Sequence, residues 1–338
     1  MKKELPTTLI TGSCGTIGSA LVEYLRTNKL AGKIICMDNN ENNVFMQDQK
    51  YINDSSTQVL LGDVRDLDRL KHVMQQVDIV YHTAALKHVY INELSPMEAV
   101  SSNISGVSNI IAAAKDNKIK KVIFTSSDKA VNPTNVMGTT KLMGERLISA
   151  ANLNNPGKTI FISTRFGNVL GSSGSVITVF KQQLQYGQDI TLTDERMTRF
   201  VMSIEQAVEL VVNSARIGKG GEVFVTKMPV ISIKDLAEVM LKEHINNKST
   251  NKPKIKIIGS KPGEKLYEEL MSEEEMNRSV ELKNYFSVLP AFRELYKDIK
   301  YVYKNKISDK VTQPYVSSKS KKLNKEEIRS FLTNYNLL

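Results

Sequence analysis

The chain has 338 residues, of which 41% are hydrophobic and 24% charged, and its formal net charge at pH 7 is +10. These values are ordinary for a soluble globular protein that is long enough for one large domain or two lobes with a shared core. The two cysteines, Cys14 and Cys36, exclude a disulfide scaffold and favour a reducing, cytoplasmic setting.

The excess of positive charge does not by itself indicate nucleic-acid binding. Much of it lies late in the chain, around the KSKK stretch at 319–322, and no zinc-finger, RRM or helix-turn-helix signature accompanies it. A solvated Lys-rich surface explains it, and a polyanionic ligand such as a nucleotide diphosphate would also fit. No apolar run approaches the roughly 18 residues that a membrane-spanning helix needs. We therefore expect neither a nucleic acid nor a membrane as partner.

Short β-branched runs alternate with helical patterns through the first half of the chain. The predicted strands are TTLITG (7–12), KIICMD (33–38), QVLLGDVRD (58–66), DIVYHTAA (78–85), KVIFTSS (121–127) and TIFISTRFGNV (159–169). The four-residue spacing of Ile17, Leu21 and Leu25 predicts a helix after the first strand. Ser95 is predicted to cap a second helix, with Glu98 three residues later. This order predicts an α/β fold with a Rossmann-type doubly wound parallel sheet.

The pattern loosens beyond about residue 169. A loop is predicted at 171–175, a helix from Ser203 to Arg216, a strand at 222–226 that returns to the sheet, and a last helix opened by a capping box of Asn324 and Glu327. We expect residues 1–168, together with about 203–226, to form a dinucleotide-binding domain. Residues 169–338 should form mainly a smaller C-terminal substrate-binding lobe.

A T-G-x-x-G-x-x-G turn joins the first strand to its helix. Glycine lets such a turn tighten, lets the backbone approach a pyrophosphate and lets the helix pack on the strand, while the helix N-terminus attracts phosphate. Because the pattern stands between a predicted strand and helix, it predicts a dinucleotide site. The residues expected to contact the cofactor here are Gly12, Ser13, Gly15, Thr16, Ile17 and Gly18.

Two carboxylates end the next strands. Asp38 follows Gly18 by 20 residues, where it would hold the hydroxyls of the adenosine ribose. No Arg or Lys follows it in NNENN (39–43) to accept a 2′-phosphate, which favours NAD over NADP. Asp63 and Val64 are expected to read an adenine edge. Cys14, inside the turn, is interpreted as a small buried thiol.

An adjacent carboxyl and amine follow the fifth predicted strand. Such a fold binds substrate at the carboxyl ends of its strands, where Asp128 and Lys129 stand. Asp128 could serve as an acid, and Lys129 as a base if burial depresses its pKa. His82 and His88 are interpreted as structural, and no metal-ligand spacing is present.

Six stretches together resemble an extended short-chain dehydrogenase/reductase. They are TGSCGTIGS (11–19), AALKHV (84–89), SSDKAVNPTNVMGTTK (126–141), RFGNVLGSSGSV (165–176), MTRFVMS (197–203) and PGEKLYEEL (262–270). More narrowly, the chain is similar to the polysaccharide-biosynthesis group of UDP-N-acetylglucosamine 4,6-dehydratases and 5-epimerases, over residues 7 to about 335. The resemblance implies two lobes, a tightly held nicotinamide cofactor, a UDP-amino sugar in the cleft and a homo-oligomer.

The resemblance also implies roles for individual residues. Asp128 and Lys129 match the acid and base of the family, Ser127 lies beside the sugar, and Lys141 holds the nicotinamide ribose. Lys87, with Ala84 and Ala85 before it, is expected near the cofactor and the sugar. The residues expected to bind the rest of the substrate are Asn168, Ser175, Val176, Arg199 for the diphosphate and Glu264 for the uridine ribose.

Met137 stands four residues before Lys141, where most of the superfamily carries a proton-transferring Tyr. A thioether has no proton to give. We predict a 4,6-dehydratase and/or 5-epimerase of surface-glycan or flagellin-sugar synthesis, which works through a 4-keto sugar with Asp128 or Lys129 taking the C4 proton. One alternative is a stand-alone 5-epimerase acting on a UDP-4-keto-6-deoxy or 5,6-unsaturated amino sugar. The others are a plain 4-epimerase or ketoreductase and a non-catalytic dinucleotide-sensing protein.

Overall fold

A computed structural model describes residues 5–153, 155, 158–248, 253–259 and 263–338, without the side chains of 246–248. Pro262, which opens the quoted PGEKLYEEL stretch, lies outside these residues. The strands are β1 (Thr7–Thr11), β2 (Lys33–Asp38), β3 (Thr57–Leu61), β4 (Ile79–His82), β5 (Lys121–Ser127), β6 (Ile160–Phe166), β7 (Asn168–Val169), β8 (Ile190–Leu192), β9 (Thr198–Met202), β10 (Val223–Thr226), β11 (Val230–Ser232), β12 (Ile255–Ile257), β13 (Glu269–Met271), β14 (Ser279–Leu282), β15 (Tyr285–Val288), β16 (Lys306–Ser308) and β17 (Tyr315–Val316). The helices are α1 (Thr16–Thr27), α2 (Glu41–Tyr51), α3 (Leu67–Val73), α4 (Val89–Leu94), α5 (Pro96–Val100), α6 (Gly106–Asp116), α7 (Val136–Ala150), α8 (Val176–Gln185), α9 (Ile204–Ile217), α10 (Ile233–Lys248), α11 (Glu273–Met276) and α12 (Lys325–Asn334).

The largest sheet in the described part of the chain has the strand order β16-β14-β15-β10-β6-β5-β4-β1-β2-β3. From β10 to β3 the neighbouring strands are parallel. The chain runs outward from β1 to β3 and then returns to the other side of β1 with β4. A parallel sheet opens a crevice at such a switch point, beyond the carboxyl ends of β1 and β4.

Helices cover both faces of this sheet, as the alternation of strands and helices predicts. Leu21 of α1 and Val208 of α9 are buried in the hydrophobic cluster on one face. Leu70 of α3, Val107 of α6 and Ile148 of α7 are buried in the cluster on the other. Each such side chain contributes about 1.5–3 kcal/mol when it leaves water, so the burial holds the crevice on a rigid base. The predicted Rossmann-type fold is confirmed.

The helix predicted from Ser95 differs from the prediction. Ser95 precedes α5, but its side chain makes no capping hydrogen bond, and residues Ser101–Ser105 form a π-helical turn between α5 and α6. The side-chain amide of Asn103, in this turn, exchanges hydrogen bonds of 2.9 and 3.0 Å with the backbone of Leu86 and donates to Thr140 Oγ1. The extra residue in the turn thus lets Asn103 hold the loop that follows β4.

Three predicted strands are shorter than expected. The third ends at Leu61 and the fourth at His82, so Asp63, Val64, Ala84 and Ala85 lie in the loops beyond the sheet. The sixth breaks at Gly167, where a Cβ atom would lie 2.9 Å from Phe200 O. Beyond the break, β7 leaves the sheet and pairs with β9.

A second lobe lies at the carboxyl ends of the strands. Its core is formed by α8, α10 and α12 with strands β8, β9 and β11. Both helices expected after residue 200 are present, and capping boxes begin α9 at Ser203 and α12 at Asn324. Strand β10 returns to the main sheet, as expected for 222–226. However, β14, β15 and β16 also join the main sheet. The expected division at residue 169 assigned these residues to the second lobe, so it differs from the structure here.

A buried ion cluster connects α11 to β6 and α7. Arg165 of β6 is 1% exposed and donates to Glu145 of α7 and to Glu275 of α11 over 2.6–2.8 Å. Burial raises the pKa of Glu275, but the Arg165 guanidinium outweighs it and lowers that pKa to about 2. This cluster fixes the segment around residues 270–275 against α7, close to the crevice.

Candidate active site

The glycine turn packs too tightly for any other residue at Gly12 and Gly18. Gly12 has φ +72°, and a Cβ atom on it would lie 2.6 Å from Ala84 Cα. A Cβ on Gly18 would overlap the Gly12 carbonyl oxygen. The Gly12 N–H donates to Met37 O over 2.8 Å, and α1 begins at Thr16. The backbone of the turn therefore lies open to the crevice, with the N–H groups of the first turn of α1 beside it.

Five of the six residues predicted to contact a dinucleotide at this turn line the crevice: Gly12, Gly15, Thr16, Ile17 and Gly18. Ser13 does not. Its hydroxyl is buried and donates to Gln47 Oε1 over 2.8 Å, so its side chain serves the packing of α2. Cys14 is half-buried, and burial raises the pKa of its thiol to about 11, which agrees with the interpretation of an inert thiol.

Asp38 and Asp63 lie at one end of the crevice with Val64, Ala84 and Ala85. Asp38 accepts the N–H of Cys14 and of Asn40, both over 3.1 Å. The Asp63 carboxylate pairs with Arg65 over 2.7 Å, and this pairing lowers its pKa to about 2. Arg65 also pairs with Glu98, so the cation at this end is already neutralised.

The Asp128–Lys129 pair forms a 3₁₀ turn directly after β5 and lines the crevice. Asp128 is 1% exposed. Its Oδ1 accepts from Ser127 Oγ over 2.7 Å and from the N–H and Nζ of Lys129 over 3.0 Å each. Its Oδ2 is buried and has no partner among the described residues. One oxygen thus positions the carboxylate, and the other remains available to a ligand.

Lys129 differs from the expectation that burial depresses its pKa. Burial does oppose its charge, but the Asp128 and Glu268 carboxylates outweigh burial and raise the pKa of the Lys129 ammonium. Its Nζ lies 3.0 Å from Asp128 Oδ1 and 3.6 Å from Glu268 Oε1. With the site as described here, Lys129 is an ammonium and can donate a proton, whereas it cannot accept one.

Met137 and Lys141 share the face of α7 that borders the crevice, as their spacing predicts. Lys141 is buried, donates from Nζ to Thr125 O over 2.9 Å and lies 4.8 Å from the centre of the Phe124 ring. Burial lowers its pKa to about 8. Met137 is 4% exposed. An amine that loses its proton easily therefore stands beside a thioether that cannot exchange one.

The crevice continues past the Asp128–Lys129 pair into the second lobe. Asn168, Val176, Arg199 and Glu264 line this end. The Oδ1 of Asn168 is buried without a partner among the described residues. Ser175 lies at the boundary and precedes α8. Lys87 donates to Ser173 O over 2.8 Å and thereby holds the loop before α8 over the crevice.

Arg199 is less available than its predicted role requires. Its guanidinium donates to the carbonyl oxygens of Thr198 and Lys265 over 2.8 Å and of Leu266 over 3.2 Å. These bonds fix the segment 265–268 along the crevice. The structure thus brings Arg199 to the predicted end, but most of its donors already serve the backbone.

Glu268 was not predicted, although it stands inside the quoted PGEKLYEEL stretch. Its side chain is 3% exposed. Oε1 lies 3.6 Å from Lys129 Nζ and 3.5 Å from Arg199 Nε, and Oε2 is buried without a partner among the described residues. The sequence offers one signal for it, the two adjacent glutamates Glu268 and Glu269, but does not show which of them faces the crevice. Glu269 instead accepts from Asn132 on another side of the segment.

The two histidines differ. His82 is fully buried, lies 2.7 Å from Thr11 Oγ1 through Nδ1, and has its pKa lowered to about 3 by burial, in agreement with a structural role. His88 precedes α4 and borders the crevice. Over the part of the chain that the structure covers, no group of three or more His, Cys, Asp or Glu side chains could hold a metal ion. In the same part, no helix has the length and apolarity to cross a membrane.

Comparisons with known proteins agree with this geometry. A family model described as "Polysaccharide biosynthesis protein" matches residues 8–290. A protein of Methanocaldococcus jannaschii named as an uncharacterized membrane protein is 44% identical over 98% of this chain and 96% of its own length. A protein of Rickettsia bellii named UDP-glucose 4-epimerase is 39% identical, over 97% of this chain and 95% of its own.

Solved structures are similar to this chain over the whole fold. The X-ray structure of Pen from Bacillus thuringiensis is 39% identical with a TM-score of 0.91, and the match covers 100% of both chains. Three epimerase and dehydratase structures with NAD, at 19–23% identity and TM-scores of 0.64–0.68, share the fold. The chain therefore belongs to the polysaccharide biosynthesis protein family, among the nucleotide-sugar epimerases and dehydratases.

Proposed function

We propose that the protein binds NAD and a UDP-N-acetylglucosamine-derived sugar and works through a 4-keto sugar as a 4,6-dehydratase, a 5-epimerase or both. The observation that carries the proposal is the pair at the end of β5. A buried carboxylate with one unpaired oxygen stands beside an ammonium at Asp128 and Lys129. The neighbouring position on α7, residue 137, offers no phenol.

The cofactor part rests on the glycine turn and on Asp38. A Cβ atom on Gly12 or Gly18 would collide with the backbone of Ala84 or Gly12, so glycine keeps the turn tight where it lines the crevice, which suits the close approach of a pyrophosphate. Asn39 and Asn40, which follow Asp38, carry no charge, and the nearby Arg65 is paired with Asp63 and Glu98, so none of these three offers a 2′-phosphate a free cation. NAD rather than NADP fits these residues, and Lys141 would hold its nicotinamide ribose. When bound, NAD supplies the hydride acceptor and donor for the sugar.

The residues of the chain would then transfer protons to and from the sugar. A ketone at C4 acidifies the C5 proton, so a base must take that proton while an acid releases the C6 hydroxyl as water. The unpaired Oδ2 of Asp128 can accept a proton and the Lys129 ammonium can donate one. Once both have transferred, the roles can reverse, because the two groups lie within 3.0 Å of one another. The 5,6-double bond left by the loss of water would then need a hydride at C6, which the reduced cofactor would supply, and a proton at C5. Return of that proton from the opposite face would invert C5.

A plain 4-epimerase is the second candidate, because relatives 36–39% identical to the chain carry the name UDP-glucose 4-epimerase. A 4-epimerase moves hydride at C4 and leaves C5 untouched. A stand-alone 5-epimerase is the third, since Met137 cannot take the C4 proton as a Tyr would.

One experiment separates the three. The protein with NAD is incubated in D₂O with UDP-N-acetylglucosamine and, separately, with its 4-keto-6-deoxy product, and both are followed by NMR and mass spectrometry. Loss of water with deuterium at C5 from the first substrate supports the dehydratase. Deuterium at C5 with the second substrate alone supports the stand-alone epimerase. Net C4 inversion without deuterium supports the 4-epimerase, and no turnover of either sugar contradicts all three.

Lys129→Ala is the matching variant. It should abolish the loss of water from UDP-N-acetylglucosamine, because the ammonium that would donate a proton to the C6 hydroxyl is gone. Water loss at the native rate in this variant contradicts the role given to Lys129.

A further inference from the structure

Four charged groups, Lys129 among them, meet at the end of the crevice. The Lys129 ammonium lies between Asp128 Oδ1 at 3.0 Å and Glu268 Oε1 at 3.6 Å. Arg199 Nε lies 3.5 Å from the same oxygen of Glu268. Two carboxylates and two cations thus form one cluster, and the two carboxylates are almost fully buried.

The cluster keeps two acceptors unused. Glu268 Oε2 and Asp128 Oδ2 are buried and have no hydrogen-bond partner among the described residues. A buried polar atom without a partner costs about 1–3 kcal/mol, so such atoms in a crevice point to a ligand or to a group under electrostatic constraint.

We propose that Glu268 is a positioning residue that, together with Asp128, keeps Lys129 protonated until substrate fills the crevice. The inference rests on the proposed function, because the protonation state of Lys129 matters only for a reaction that transfers protons. Glu268 would act through Lys129, which its Oε1 faces at 3.6 Å, and would not itself exchange a proton with the sugar.

The surroundings determine the sign of the effect. Asp128, on the same turn as Lys129, and Glu268, from the segment before β13, both favour the charged amine. Arg199 on β9 opposes it, as does burial. Lys265, whose Nζ donates to Val131 O over 2.9 Å, acts on Glu268 in the same direction as Lys129 and Arg199. Removing the Glu268 charge leaves Lys129 with one carboxylate against burial and Arg199, so it should lose its proton at a lower pH.

The backbone also shows why Glu268 is held here. Its N–H donates to Ser317 Oγ over 2.9 Å, and Arg199 binds the carbonyls of the two residues Lys265 and Leu266. The segment therefore presents Glu268 inward while Glu269 turns to Asn132. Charge on Glu269 should not influence Lys129, which makes it a matched control one residue away.

The test measures the protonation of Lys129 directly, without turnover. The full-length protein is labelled with trace acetic anhydride between pH 6 and 11, and acetylation of Lys129 is quantified by mass spectrometry in the wild type, Glu268→Gln and Glu269→Gln. In Glu268→Gln the midpoint for Lys129 should fall by at least about one pH unit, so that the reactive amine rises about tenfold at a fixed pH. In Glu269→Gln it should match the wild type. Equal midpoints in all three proteins overturn the proposal.

A second readout covers the case in which Glu268→Gln does not fold. In the wild type alone, the midpoint of Lys129 should lie above that of the exposed Lys310, and that of Lys141 should lie below it. A Lys129 midpoint below that of Lys310 overturns the proposal. The labelling can succeed even if neither sugar reacts in D₂O, so failure of the proposed function and failure of this inference remain distinguishable.

Discussion

Replacing Lys141 by Met should make the protein more stable at neutral pH. Burial lowers the Lys141 pKa to about 8, whereas an unfolded chain keeps the ordinary value of 10.5. Between these values the unfolded chain holds a proton that the folded protein has released. Stability therefore rises with pH from about 8 to 10.5 and is lower below pH 8.

The size of the effect follows from the two pKa values. Their difference corresponds to about 3 kcal/mol of unfavourable charge burial at pH 7. Lys141→Met removes this cost together with the hydrogen bond from Nζ to Thr125 O, which contributes about 1 kcal/mol. The side chains are similar in size, so packing changes little. A net gain of about 2 kcal/mol at pH 7 is expected, and it should vanish or reverse near pH 10.

Urea unfolding at pH 7, 8.5 and 9.5 measures this. The difference in unfolding free energy between Lys141→Met and the wild type should shrink steadily with pH. Lys310→Met, at an exposed lysine, is the control and should differ from the wild type by the same small amount throughout. A difference for Lys141→Met that does not depend on pH would refute the reasoning.

Three further predictions concern the turn, the ion cluster and α7. Gly18→Ala should weaken NAD binding at least about tenfold in calorimetry, or by about 1.4 kcal/mol, because its Cβ atom would overlap the Gly12 carbonyl oxygen. Gly15→Ala should have a milder effect, because a Cβ atom has more room there, and equal affinities of the two variants would contradict the role of the tight turn. Glu275→Gln should lower the free energy of unfolding in urea by about 3 kcal/mol, because it leaves Arg165 buried beside one carboxylate. Glu273→Gln, at an exposed position, should lower it little, and equal losses in the two variants would contradict a stabilising role of the cluster. Met137→Tyr should speed C4 oxidation, followed as NADH absorbance in a single turnover, and an unchanged rate would mean that proton removal at C4 is not limiting.

The first half of the fold was predictable because its signals are local. The strands around the glycine turn are buried on both faces, so they form continuous apolar runs in the sequence. The glycine pattern also indicates a strand before it and a helix after it. The Ser95 cap failed because Ser95 also ends α4, with its N–H bonded to Ile91 O and with φ −134° and ψ 61° in place of the extended backbone of an N-cap. The regular helix expected beyond it failed for a tertiary reason. Asn103 must reach the Leu86 backbone, and a π-helical turn achieves this at the expense of a regular helix. No pattern near Ser95 encodes a contact with a loop beyond β4.

Glu268 shows the same limit inside the site. Two adjacent glutamates are equivalent in sequence, and the pairing of β13 with β17 together with the bonds of Arg199 decides which one faces Lys129. Likewise, Lys129 lines the crevice as predicted, but its charge depends on Asp128 beside it and also on Glu268, a carboxylate 139 residues away in the chain. Burial alone predicts a depressed pKa, and the neighbours reverse it.

These charges explain how a thioether can stand at position 137. In a Tyr-bearing site, the lysine four residues on would stabilise a phenolate. Here Lys141 donates to the Thr125 carbonyl and lies over the Phe124 ring, and burial outweighs the attraction of Glu145, so its charge remains unfavourable until a ligand reaches it. The groups that can exchange protons with a sugar are instead Asp128 and Lys129, with Glu268 beside Lys129, between the cofactor end and the second lobe. If that cluster handles the protons, α7 needs only to hold the cofactor, and an apolar Met137 is compatible with a working enzyme.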